Sequence, residues 1–147
     1  MNNDQKVFGI ATKSFIIRED KLLILYKAEE EAIKDPDPSR RMDTPGGRLE
    51  FGESPESSLL REVKEESGLT VNILFPLDVW HYVHENFQLV GIDYLCEWIG
   101  GEVALGEEHE SFEWLTLDEI LDRKWKDKEK YEKIFRKYTE YNGIQKT

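Results

Sequence analysis

The sequence predicts an α/β fold: a mixed, curved sheet lying between helices on its two faces. Three observations carry it. Runs of strand character come both before and after one well-capped helix, and the last third of the chain returns to helical periodicity. The chain has 147 residues, 39% of them hydrophobic and 12% aromatic. That is enough for one sizeable core but not for a second domain, so residues 1–147 are expected to form a single domain.

Taken in order, Val7 to Arg18 and Leu22 to Ala28 read as two strands with a hairpin at Glu19-Asp20-Lys21. Ile10, Ile16, Leu23 and Leu25 supply their apolar positions. Glu29 to Arg41 carries dense charge with Pro36 and Pro38 and reads as an exposed loop, where Arg40 and Arg41 are candidates to clamp a substrate phosphate against the favoured reading as solvated loop charges. Ser54 is a good N-cap, Pro55 suits the first helical position and Gly68 a stop, which predicts a helix between them with Leu59, Leu60 and Val63 as its buried stripe. Thr70 to His84 and Gln88 to Ile99 read as strands joined at Glu85-Asn86-Phe87. In the second, Val90, Ile92, Tyr94, Cys96 and Trp98 alternate onto one face. Gly100-Gly101 marks a turn, Gly106 to Glu110 an acidic loop and Ser111 to Leu115 a short strand. Thr116 caps a short helix from Leu117 to Asp122, and a longer one follows from about Lys126 to Tyr141, with Tyr131, Ile134, Phe135, Tyr138 and Tyr141 as its docking stripe.

The charge balance narrows the function. Twenty basic residues against 31 acidic ones leave a formal net charge of -11, which argues against nucleic acid and anionic membranes as partners. An anionic small molecule is admissible if metal ions neutralise it locally. Cys96 is the one cysteine, so no intramolecular disulfide can form, and its apolar surroundings favour packing over reactivity. No signal segment opens the chain and no apolar run reaches membrane-spanning length, so a cytoplasmic location is expected. A homodimer is admissible.

The chemistry concentrates between Gly47 and Leu69, where GRLEFGESPESSLLREVKEESGL holds six carboxylates. At 100° per residue, Glu62, Glu65 and Glu66 fall within about 100° of one helix face. Like charges three and four apart repel by a few tenths of a kcal/mol per pair, so such a face is expected to bring a cation. Carboxylate oxygens are hard ligands, which points to Mg²⁺ or Mn²⁺. The Gly46-Gly47 pair lets the backbone approach a ligand closely, and Glu53 stands eight residues before Arg61, as an ion pair bracing loop against helix requires.

Gly47, Glu53 and Arg61-Glu62-Val63-Lys64-Glu65-Glu66-Ser67-Gly68-Leu69 together resemble the complete signature of the Nudix hydrolases, and Thr44-Pro45-Gly46 extends the likeness. The resemblance implies an α/β/α sandwich that hydrolyses a diphosphate linkage in a nucleoside diphosphate joined to another moiety. It assigns Glu53 and Arg61 to holding the loop and Glu62, Glu65 and Glu66 to metal, with Gly46 beside them. Glu108, six residues before Trp114, is a further carboxylate for the metals or for proton removal, with Glu107, Glu110 and Glu62 as rivals for the base. In such chemistry the metals neutralise phosphate charge and acidify water, and a carboxylate removes its proton.

Substrate contacts are less marked. Arg48 and Arg41 suit phosphate, while Phe8 and Tyr82 could stack a base, although a sheet's need for large side chains makes core the expected place for Phe8, Trp80 and Tyr82. His81 and His84 stand three apart in a strand and so face opposite ways, and His109 reads as a loop residue. The markers of ADP-ribose and dinucleoside polyphosphate subfamilies are missing at His84 to Phe87. A nucleoside triphosphate, oxidised or not, or a nucleotide sugar is therefore the first expectation, with ADP-ribose next. A Nudix-like module that binds a nucleotide without hydrolysing it is the alternative of another class.

Overall fold

The structure is a computed structural model and describes residues 5–28, 42–123 and 127–145. Its strands are β1 (Val7–Arg18), β2 (Lys21–Lys27), β3 (Met42–Asp43), β4 (Gly46–Arg48), β5 (Thr70–His84), β6 (Phe87–Gly100) and β7 (His109–Leu115). Its helices are α1 (Pro55–Ser67), α2 (Leu117–Leu121) and α3 (Lys128–Gln145). The strands form one mixed sheet in the order β3-β2-β1-β6-β5, with β4 added to β1 and β7 to β2.

β1 is the spine. Its last residues turn into β2 through Glu19 and Asp20, both with positive φ, the backbone that a tight hairpin requires. Along one edge it pairs in parallel with β6 from Val7↔Phe87 to Ile17↔Glu97. Its Ala11–Lys13 stretch accepts β4 on the other. β3 and β4 went unforeseen because two- and three-residue strands are too short to show a period.

Successive β1 residues feed two cores. Ile16 packs with Leu23, Leu25, Tyr94, Cys96 and the α1 residues Leu59 and Val63. Phe15 and Ile17 pack with Leu22, Ile24, Ile120 of α2 and Ile134 of α3. The alternation of β6 holds, since Ile92, Tyr94, Cys96 and Trp98 share the first core. Burial pushes the Cys96 thiol up to about 12, in keeping with a packing role. The sheet thus lies between α1 on one face and α2 with α3 on the other.

α1 begins as expected: the Ser54 hydroxyl accepts from the Ser57 N–H at 3.1 Å, and Gly68 ends the helix with φ 75°. Burying Leu59 and Val63 is worth about 2–3 kcal/mol each. Leu60 is exposed, contrary to expectation, because the helix docks through Ser58, Leu59, Val63 and Ser67. The small serines let the backbone approach the sheet and turn Leu60 outward. Phe8, Ile10 and Tyr82 are also exposed rather than core, because among the described residues no helix reaches over the outer end of the sheet. His109 opens β7 instead of lying in a loop, and it is buried. No helix is long and apolar enough to cross a membrane among the described residues.

Candidate active site

The loop from Asp43 to Ser54 is held at both ends. At its start, Ser14 takes Pro45 onto β1, with its N–H and hydroxyl donating to the Pro45 carbonyl at 2.8 and 2.7 Å, and the Thr44 hydroxyl donates to the Ser14 carbonyl. At its end, Arg61 grips Glu53 with two hydrogen bonds, Nε to Oε2 at 2.8 Å and Nη2 to Oε1 at 2.9 Å. The Glu50 N–H adds a third contact to Glu53 at 2.8 Å. Arg61 and this N–H hold the Glu53 carboxyl down at about 2. Sequence spacing anticipated this brace.

Arg61 has further work. Its Nη1 donates to Glu62 at 2.9 Å and reaches Glu65 at 3.4 Å, so one guanidinium serves three carboxylates. Glu62 lies directly against Gly47, where a Cβ would stand 2.7–3.0 Å from its carboxyl atoms. A side chain at position 47 would push the Glu62 carboxylate out of this position. Glu66 accepts from the Gly46 N–H at 3.0 Å. Burial, together with Asp43 and Glu62, pushes its carboxyl up to about 7 against the pull of that N–H and of Lys13. Burial also raises Glu62, and Glu65 and Glu108 raise it further by their charge. The Glu108 carboxylate is therefore near enough for Glu62 to feel it, although the two stand 46 positions apart.

Among the described residues no three acidic, histidine or cysteine side chains are close enough to chelate an ion together. Glu62 and Glu66 face the glycine pair while Glu65 turns out to Arg61. The donor set still suits a divalent cation: hard oxygens that repel one another without one, two of them held against the backbone of the glycine pair.

The other expected contacts lie elsewhere. Arg48 follows Gly47 in β4 and so takes the opposite face, where its guanidinium covers the Phe87 ring at 4.5 Å. Tyr82 stacks on Trp80 with ring centres 6.4 Å apart, also on the α3 face, whereas Phe8 is on the α1 face. Arg40 and Arg41 lie outside the described residues.

Sequence reasoning missed a second group. The buried His109 joins Nε2 to Asp43 Oδ2 at 2.8 Å, and Lys13 Nζ donates to Asp43 Oδ1 at 2.9 Å. Burial would raise the Asp43 carboxyl, but the His109 bond and the Lys13 charge outweigh it and hold the group well below the usual range. No local pattern links positions 66 apart. Lys13 and Asp43 also line a cavity of about 200 Å³ with Phe15, Trp80, Asp93 and Lys130. There the nearly inaccessible Asp93 accepts from Trp80 Nε1 at 2.9 Å and Lys130 Nζ at 2.6 Å. A larger cavity of about 610 Å³ between β5 and α3 is lined by none of the carboxylates of this site.

The loop braced by Glu53 and Arg61 thus leads into a capped helix that carries Glu62, Glu65 and Glu66 on a mixed sheet. The family described as the NUDIX domain matches residues 8–138, and the chain belongs to it, as a Nudix hydrolase. A "MutT-like protein" of Streptomyces ambofaciens is 30% identical over 115 residues, 78% of this chain and 68% of that protein. An "ADP-ribose pyrophosphatase" of Methanocaldococcus jannaschii is 28% identical over 107 residues, 71% of this chain, and the match spans 60% of that relative's length. Among solved structures, the MutT protein from Methanosarcina mazei Go1 shares the fold with a TM-score of 0.67 and 23% identity, over 93% of this chain and 96% of that one.

Proposed function

We propose that the chain hydrolyses a phosphoanhydride in a nucleoside triphosphate, oxidised or not, or in a nucleotide sugar, and that it depends on Mg²⁺ or Mn²⁺. One observation carries this reading. Lys13 and Asp43 border the 200 Å³ cavity and also act on the charge of Glu66, so a base-sized cavity and the carboxylate cluster share an edge. In this reading the base lies in the cavity and the phosphates extend past Lys13 and Asp43 to the cluster. Pockets for drug-sized ligands run from about 300 Å³ upward, so this one suits a single planar base and leaves the rest of the substrate outside. Asp93 offers acceptors and Lys130 donors to the edge of such a base.

In this reading Glu62, Glu65, Glu66 and Glu108, with the backbone at Gly46, hold the cations. When bound, these supply positive charge to the phosphate oxygens and acidity to water. The chain's own residues do the rest. Arg61 fixes Glu62 and Glu65, and Glu53 fixes Arg61. Glu108 takes the proton of the attacking water as the water oxygen bonds to phosphorus in line, the bridging P–O bond opposite it breaks, and the leaving phosphate departs with that bond's electron pair on its oxygen. The relative named ADP-ribose pyrophosphatase supports ADP-ribose as the second substrate to test.

The experiment is a panel of nucleoside triphosphates, oxidised triphosphates, nucleotide sugars, ADP-ribose and dinucleoside polyphosphates, each assayed for released phosphate, pyrophosphate and monophosphate with Mg²⁺, with Mn²⁺ and with chelator. Triphosphates or nucleotide sugars should turn over fastest, and only with metal. Turnover that survives exhaustive chelation, or a clear preference for dinucleoside polyphosphates, would overturn the reading.

A further inference from the structure

The outer end of the sheet has a face that neither the active site nor the core uses. Beyond the row of Thr12 and Ile92, which α1 still covers, β1, β6 and β5 continue as three paired strands, and among the described residues no helix lies over them on the α1 side. The register aligns two rows across them, Val83–Gln88–Phe8 and His81–Val90–Ile10, with Val79 in the row before. No bulge interrupts β5 from Asp78 on, so the pleat sends all seven side chains to this face.

None of the seven is charged. In a chain that is 35% charged, two or three charges would be expected by composition alone. Phe8 is 69%, Ile10 44%, Val79 70% and Val83 62% exposed. Those four present roughly 400 Å² of apolar surface, within the range of the largest patches that monomers tolerate and that usually serve a purpose. The two polar members have partners already: Gln88 Nε2 and His81 Nδ1 meet at 2.9 Å, so this pair can be covered without stranding its hydrogen bond.

The chemistry of the face narrows its occupant. It is an open three-strand surface rather than a concavity, so a small molecule would keep most of its own surface wet. A net charge of -11 opposes anionic membranes and nucleic acid. The same charge makes two copies repel one another everywhere except at an uncharged face. Roughly 400 Å² of apolar centre, together with His81, Gln88 and Val90 of the same face and the polar rim around them, approaches the ~800 Å² per partner of a standard interface. We propose that this face is the contact surface of a homodimer, in which a second copy packs its own Phe8, Ile10, Val79 and Val83 against it across a twofold axis. Such an interface is isologous and closed, so association stops at two copies.

Sedimentation equilibrium on the full chain tests this. The expected mass is twice 17.3 kDa, with a dissociation constant of about 1–10 μM. Raising NaCl should tighten association, because salt screens the repulsion between acidic copies and leaves apolar burial intact. Val79→Lys and Val83→Lys should each weaken the dimer by at least about tenfold. Both positions are exposed, and circular dichroism with melting confirms that the fold survives. Ile99→Lys, at another exposed apolar position away from this face, should leave the dimer as it was. A monomer at about 100 μM protein, a dimer indifferent to both valine variants, a dimer lost equally in the Ile99 variant, or one that dissociates as salt rises would each overturn the proposal.

Discussion

The two sides of β1 treat carboxylates in opposite ways. On the α3 side Asp93 has Lys130 at 2.6 Å and Asp78 has Lys133 at 2.5 Å, and at the edge between the two sides Asp43 has Lys13 at 2.9 Å, so each of these three aspartates has a lysine of its own. On the α1 side Arg61 is divided among Glu53, Glu62 and Glu65, and Glu66 receives one backbone N–H. The electrostatics follow. Asp43 is held well below the usual range despite its burial, while Glu62 and Glu66 are raised. Carboxylates that bring their own cation hold a structure together. Carboxylates left short of one raise the free energy of the empty protein and have it returned when a cation binds.

The sharpest way to break this contrast is to remove a charge from the deficient side. Glu66→Gln should lower turnover by at least about a hundredfold, and Glu65→Gln by a similar factor, since both weaken cation binding. Stability should move the other way. The Glu66 carboxyl is raised from 4.5 to about 7 in the folded chain, so between those values the folded state holds more protons than the unfolded one. The metal-free protein should therefore lose stability as pH rises through that window and regain it as pH falls. Glu66→Gln should flatten this dependence and raise the metal-free melting temperature at pH 8. A variant that kept wild-type rates, or that melted lower than wild type at pH 8 without metal, would remove the distinction between the two sides.

The paired side should respond in reverse. Asp93→Asn strips the charge from a nearly inaccessible carboxylate and leaves Lys130 without its counterion, which should cost about 2–3 kcal/mol of stability, measured by urea unfolding. If the cavity holds the base, KM should rise about tenfold while kcat changes little, because the contact exists in ground and transition states alike. An unchanged unfolding midpoint would mean that the Asp93–Lys130 pair adds nothing net. A fall in kcat at constant KM would place Asp93 with the reacting groups instead of the base.

The deficient side was legible in the sequence and the paired side was not, for a physical reason. Glu53, Arg61, Glu62, Glu65 and Glu66 lie on one loop and one helix, so spacing along the chain maps onto spacing in space, and Ser54, Pro55 and Gly68 announced where that helix begins and ends. Asp43–His109 and Trp80–Asp93 are made by strand register across the sheet, and Asp93–Lys130 by the docking of α3 on it, none of which a local period encodes. The strands were legible as alternation, but alternation says only that residues face opposite ways. It does not say how far a helix covers each face. Phe8, Ile10 and Tyr82 have core chemistry and are exposed because α1 and α3 stop short of the outer end of the sheet.

The smallest effect is expected where the two sides meet. His109 stands next to Glu108 in the chain, its Nε2 is tied to Asp43, and the Glu108 carbonyl accepts from the Ala28 N–H at 2.9 Å. Asp43 begins the lead-in that carries Gly46 to Glu66, so the His109–Asp43 bond fixes the Glu108 segment relative to that loop. If Glu108 removes the proton from water, Glu108→Gln should depress kcat strongly with little change in KM. His109→Leu should depress kcat only about three- to tenfold, again at nearly constant KM, because the carboxylate remains but wanders. His109→Gln, whose amide can take the place of Nε2, should restore part of the loss. Adding His109→Leu to Glu108→Gln should then cost nothing more, since a positioning residue has no effect once the group it positions is gone. Steady-state kinetics on the four proteins of that cycle, with melting to confirm folding, decide the matter. Fully additive losses would show that His109 acts independently of Glu108, and a normal kcat for Glu108→Gln would return proton removal to the helix carboxylates.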